Sequence, residues 1–365
     1  MFCFILIGDG SNATEEDPVW LKAKGDDFYR GGDFRSALNA YSAAIDMNEN
    51  MIPCYSNRSA CYLRLSMFAE CRLDCTEGIK QIDEELAAIS LSNANATALS
   101  STVTNEIVAL KVLLSKLLLR RGSTNCQMGI FSEALNDYTR TSNLLFGYEV
   151  KKNSNSSKLK DDDKYEEREF SLPGITKPAL TADLDRIVRL LNADILKKEG
   201  DSLFADNKLQ ESALKYEEAL GLVPVHVGCL SNRSACRLAM KDVEGCIEDC
   251  TDALMLLNDS DITPTTTNTT LTTTTSPSTA TTTSSSSSSD INMLNSILPS
   301  IGSDKRKSWV VKTLLRRGAA YAQLSRLDEA VSDFRTASAL DPKNETLKSD
   351  LNKIINFREG KRATT

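Results

Sequence analysis

One histidine, His226, serves all 365 residues. Catalysis by a nucleophile–base pair and zinc sites built on imidazole both ask for more than that. No Gly-rich phosphate loop appears either, so the chain reads as a non-enzyme with no cofactor. Turn formers are also scarce. There are 17 Gly, 9 Pro and 6% aromatic residues, with no alternating β-branched runs, which excludes most all-β folds and favours an all-helical chain. No apolar run approaches the roughly 20 residues of a membrane span. The opening segment MFCFILIGDG is apolar but short and lacks the basic start of a signal peptide, so it reads as a frayed end or the stub of a truncated gene. An excess of basic residues is missing too. The net charge of −7 argues against nucleic acid as a partner.

Repetition is what the sequence has in abundance. CYSNRSAC, Cys54 to Cys61, returns as CLSNRSAC, Cys229 to Cys236, 175 residues later. LKAKGDDF from Leu21 and ECRLDC from Glu70 recur as LKKEGDSLF from Leu196 and GCIEDC from Gly245 at that same offset of 175. LLLRRG from Leu117 meets TLLRRG from Thr313 at an offset of 196, so the second copy has gained 21 residues before that point. An internal duplication is therefore the primary feature.

Each copy contains a shorter period of about 34 residues, the spacing of tetratricopeptide repeats. Small residues stand at position 8 (Gly25, Ser59, Gly122, Gly200, Ser234, Gly318) and large ones at position 24 in the outer repeats (Tyr41, Tyr138, Tyr216, Phe334). Small residues let two antiparallel helices approach, and large ones fill the gaps between pairs. Position 11 departs from the pattern at Asn125 and Arg237; Arg237 is expected to pack its stem and send its charge to water. Eight of the ten cysteines also fall in the repeat pattern, with Cys54, Cys61, Cys71 and Cys75 returning as Cys229, Cys236, Cys246 and Cys250. Cys71, Cys75, Cys246 and Cys250 hold packing positions 20 and 24, which marks them as buried reduced thiols rather than zinc ligands. His226 lies at a turn and receives no role.

The expected architecture is all-α, with two tetratricopeptide superhelical domains. Each has three helix-turn-helix repeats and a capping helix. An N-terminal tail (1–17) precedes the first domain (18–191), which carries an insertion at 86–104 and a charged loop at 147–178. The second domain (192–357) carries a disordered Ser/Thr-rich insertion at 259–291, and a tail (358–365) follows. LTADLDRI (Leu180–Ile187) and LKSDLNKI (Leu347–Ile354) should cover the last repeat of each domain, the first running straight into the second copy as one stiff helix.

Positions 2, 5, 6 and 9 of the first helices should face the concave groove. They carry Lys22, Asp26, Asn57, Lys116 and Arg120 in the first copy, and Lys197, Asp201, Asn232, Lys312 and Arg316 in the second. Lys and Arg four residues apart share a helix face and, with the Asn amide, form a donor set suited to a terminal carboxylate and an Asp side chain.

This set resembles the carboxylate clamp of tetratricopeptide co-chaperones, which hold the C-terminal EEVD tails of Hsp70 and Hsp90. That family uses Lys, Asn, Asn, Lys and Arg. The departures here are Asp26 and Asp201, which should repel a bound carboxylate unless a neighbour such as Lys22 or Lys24 neutralises them. EEDPVWLKAKGDDFYRGGDFRSALNAYSAAI is similar to the repeat domain of dynein axonemal assembly factors. The resemblance implies a cytoplasmic adaptor with a link to cilia, which binds Hsp70/Hsp90 tails and serves dynein-arm clients, with no membrane or nucleic-acid partner. A scaffold that binds internal helical or acidic peptides is the other reading. The two differ in whether the ligand needs a free C-terminus.

Overall fold

The structure, a computed structural model, describes residues 17–93, 100–147, 172–258, 298 and 302–363. The tail before Asp17, most of the charged loop, the Ser/Thr-rich insertion and Cys3 lie outside the described residues. Thirteen helices and no strand occur among the described residues. The chain divides into two compact units, Met1–Ile187 and Val188–Thr365.

The first unit contains α1 (Pro18–Arg30), α2 (Phe34–Met47), α3 (Ile52–Arg64), α4 (Phe68–Ser92), α5 (Ser101–Met128), α6 (Phe131–Phe146) and the start of α7 (Lys177–Ala205). The rest of α7 opens the second unit. It continues with α8 (Leu209–Leu222), α9 (Val227–Ala239), α10 (Val243–Asn258), α11 (Asp304–Gln323), α12 (Leu327–Leu340) and α13 (Glu345–Ala363). Helices pack against their neighbours in sequence. The first helices of successive repeats also touch, α1 with α3, α3 with α5 and α9 with α11, which makes one continuous inner face in each unit.

Local chemistry sets the helix ends. Asp17 caps α1 by accepting the Val19 N–H at 2.9 Å, and Pro18 at the first helical position has no N–H to satisfy. Inside each pair, position 8 explains the close approach. A Cβ at Gly25 would lie 2.6 Å from Cε1 of Tyr41, and one at Gly200 would lie 2.7 Å from Cε1 of Tyr216. Such overlap would push the ring out of its slot. The turn in each of the six pairs contains one residue with left-handed backbone: Gly32, Ser66, Gly129, Asn207, Lys241 and Ser325.

The covering segments act as expected. Leu180 and Ile187 pack on Cys126, Ala134 and Tyr138, and Leu347 packs on Phe334 and Ala337. The nine described cysteines are all buried and unpaired. Burial pushes the thiols of Cys54 and Cys61 up to about 11, so they stay protonated and inert at neutral pH.

Three expectations need correction. The connection placed at 86–104 is helical over 86–92 and 101–104, because Leu86 of α4 packs on the core shared with Leu110 and Leu113 of α5. The apolar seam thus carries both helices past the repeat. The charged stretch 151–167 lies outside the described residues; after it, Leu172 is buried against Leu145. The tail expected from 358 is helical through Ala363, and Arg358 reaches Asp328 on α12 at 3.4 Å. Arg237 does not send its charge to water. Its Nη1 donates to Asp249 Oδ1 and to the Gly245 carbonyl, both at 3.0 Å, because a carboxylate and a carbonyl of α10 lie within reach.

Candidate functional site

In the first unit, α1 places Lys22 and Asp26 one turn apart on the inner face. Lys22 Nζ donates to Asp26 Oδ2 at 2.6 Å. From α2, the Tyr41 hydroxyl donates to Asp26 Oδ1 at 2.7 Å, and from α3, Asn57 Nδ2 donates to the same oxygen at 2.8 Å. The second unit repeats this arrangement. Lys197, Tyr216 and Asn232 donate to Asp201 at 2.6, 2.7 and 2.8 Å. Burial acts to raise both carboxyls, but the bonds from Lys22 and Tyr41, and from Lys197 and Tyr216, outweigh it and hold both below the ordinary carboxylate range. Both Asp side chains are therefore ionised at neutral pH. Lys22 is the neutralising partner in the first unit, while Lys24 lies 4.8 Å from the Trp20 ring centre.

From α5, Arg120 Nη1 donates to the Ser56 carbonyl at 2.6 Å and to Ser59 Oγ at 2.9 Å. Arg316 of α11 does the same to the Ser231 carbonyl and to Ser234 Oγ. One turn earlier, Lys116 and Lys312 are exposed and make no hydrogen bond or ion pair among the described residues. Asp26, Asn57, Lys116 and Arg120 line a cavity of about 680 Å³, joined by Tyr29 and Leu113. Each unit thus gathers three cations and one carboxylate on its inner face. Such a surface attracts carboxylates and supplies donors aimed at them.

The sequence did not reveal the tyrosine hydroxyls or the serines that hold Arg120 and Arg316. It also concealed four buried ties in which Arg and Asp stand 16 residues apart. Arg58–Asp74, Arg121–Asp137, Arg233–Asp249 and Arg317–Asp333 meet at 2.6–2.8 Å. These ties explain the paired arginines in RRG, where the first faces the groove and the second locks its helix to the next. The recurring spacing of 16 was a legible signal. Asn125 at position 11 belongs to the same polar layer, accepting from Arg72 Nε at 3.0 Å.

No group of three or more His, Cys, Asp or Glu side chains among the described residues could hold a metal ion. No described helix is long and apolar enough to cross a membrane.

A family model for the tetratricopeptide repeat matches residues 22–70. Dynein axonemal assembly factor 4 of Pongo pygmaeus is 32% identical over 124 residues, covering 34% of this chain and 24% of the relative. Hsp70-Hsp90 organizing protein of Triticum aestivum is 25% identical over 234 residues, covering 62% and 34%. The chain thus spans about a quarter to a third of the length of these relatives. Among solved structures, the second repeat domain of human RPAP3 in complex with the HSP70 peptide SGPTIEEVD is 21% identical. The match covers 46% of this chain and 97% of that one, with a TM-score of 0.30. The family model over residues 22–70, the repeat period and the six helix pairs with small residues at their close approaches agree on an architecture of tetratricopeptide-like helical repeats.

Proposed function

We propose that the protein is a cytoplasmic adaptor whose two inner faces bind the acidic C-terminal tails of Hsp70 and Hsp90. It would bring clients to those chaperones, axonemal dynein chains among them. The observation that carries this reading is the duplicated donor set: two units place the same residues at the same distances around Asp26 and Asp201, and each adds an exposed lysine without a partner among the described residues. Structural convenience would account for one such cluster more readily than for two. The names of the relatives, an Hsp70-Hsp90 organizing protein and a dynein assembly factor, support the choice of partner and client.

Calorimetric titration of the whole chain with an MEEVD peptide tests the proposal. Lys116→Glu with Lys312→Glu reverses the charge at two exposed positions that hold no other group among the described residues. Arginine changes would be less clean, since Arg120 also ties α5 to α3. Each charge-assisted hydrogen bond contributes roughly 1.5–3 kcal/mol, so the double variant should lose binding at least tenfold while keeping its helicity. Unchanged affinity in the variant would reject this site.

A further inference from the structure

Each groove already contains a carboxylate. Asp26 takes up the Lys22 ammonium, the Tyr41 hydroxyl and the Asn57 amide at 2.6–2.8 Å, which are distances at which those donors would hold a ligand's carboxylate. Asp201 occupies the same place with Lys197, Tyr216 and Asn232. Neither is sealed away. The Asp26 and Asp201 side chains are 30% and 40% exposed, so an approaching ligand meets them directly. A second carboxylate brought to Lys22 and Asn57 would lie against Asp26, where like charges repel. Displacing Asp26 instead would leave the Tyr41 hydroxyl without its acceptor.

The other half of each groove is open. Lys116 and Lys312 are exposed and without partners among the described residues, and Arg120 engages Ser56 and Ser59 through one terminal nitrogen. Positive charge there is uncompensated, whereas the Lys22 and Lys197 charges are matched within their own helices.

We infer that Asp26 and Asp201 are resident stand-ins for a ligand carboxylate, closing the half of each groove beside α1 and α7 to anions. The grooves therefore grip acidic side chains through Lys116–Arg120 and Lys312–Arg316, and they need no free C-terminus. This inference rests on the acidic-peptide reading above and changes its ligand class, from chain ends to acidic segments wherever they occur in a partner.

The test compares MEEVD as the free acid and as the C-terminal amide, on the whole wild-type chain and on the Asp26→Asn/Asp201→Asn variant. The wild-type chain should bind the two peptides within about threefold of each other. The variant, which frees Lys22 and Lys197 from their ion pairs, should bind the free acid about tenfold tighter and the amide little differently, tenfold being about 1.4 kcal/mol. A wild-type chain that binds neither peptide, beside a variant that takes the free acid, would overturn the inference, because Lys116–Arg120 and Lys312–Arg316 would then grip no acidic side chain on their own. A wild-type preference of tenfold or more for the free acid would overturn it while leaving the adaptor reading intact. Absence of binding in both chains would sink the adaptor reading and the inference with it. The wild-type comparison involves no substitution, and a far-ultraviolet melt of the variant checks its fold.

Discussion

His226 shows how a single side chain can hold a helix in place. It precedes α9, is 7% exposed, and its Nδ1 accepts the Cys229 N–H at 3.2 Å. Only the neutral ring can accept at that nitrogen. Burial first, then the nearby Lys197 charge, push its pKa below the ordinary histidine value, while Asp194 and Asp201 pull the other way. The unfolded chain therefore binds a proton at a higher pH than the folded one does. The stability that His226 contributes is complete above the unfolded value of about 6.5 and is lost as pH falls from there through the folded value. Urea midpoints measured at pH 7.5 and 5.5 should show this decline. His226→Asn, whose side-chain oxygen can still cap α9, should flatten the decline; an unchanged slope would place its origin elsewhere. The sequence placed His226 at a turn and gave no hint of the cap, because Asn, Asp, Ser and Thr are the usual residues there. Tyr41 and Tyr216 were legible as packing residues for the opposite reason: a small–large pairing repeats along the chain. Their hydroxyl bonds to Asp26 and Asp201, 15 residues away in sequence, follow from no periodicity.

At the level of elements, the tight turns inside the repeats carry a cost that the sequence has only partly removed. All six bring one residue to positive φ, yet glycine stands there only at Gly32 and Gly129. Ser66, Lys241 and Ser325 hold φ of 58°, 66° and 61°. A side chain in this region costs roughly 1–2 kcal/mol, against which glycine's extra freedom in the unfolded chain must be set. Ser66→Gly, Lys241→Gly and Ser325→Gly should each raise stability by about 0.5–1 kcal/mol, read as higher denaturant midpoints with unchanged slope. A fall in midpoint at all three would show that the side chains make contacts outweighing the strain. Helix pairing itself was readable from the 34-residue period. The lengths of α4 and α5 were not, because the stretch from Leu86 to Thr104 is rich in Ala, Ser, Asn and Thr, a composition that suits a loop as well as an exposed helix. Leu86, Leu110 and Leu113 carried the deciding signal, and they meet only once α4 and α5 are placed side by side.

For the whole molecule, the question is whether duplication produced two working sites. Every donor in the first set, from Lys22 on α1 to Arg120 on α5, lies within Met1–Ile187, and every donor in the second, from Lys197 to Arg316, within Val188–Thr365. Each donor set is drawn from within one unit. The sequence had already indicated this, since the residues recur at fixed offsets of 175 and 196. Two self-contained sites should titrate as two equivalents of an acidic peptide. Lys116→Glu alone and Lys312→Glu alone should each remove one equivalent and leave the affinity of the other unchanged. Because the charges are partly exposed, and screening acts over about 8 Å at 0.15 M ionic strength, both sites should weaken together as salt rises. One equivalent in the wild-type chain, lost with Lys116→Glu and untouched by Lys312→Glu, would mean that the second copy kept the residues without the function. The identical hydrogen-bond pattern around Asp201 would then be serving only to hold α7, α8 and α9 together.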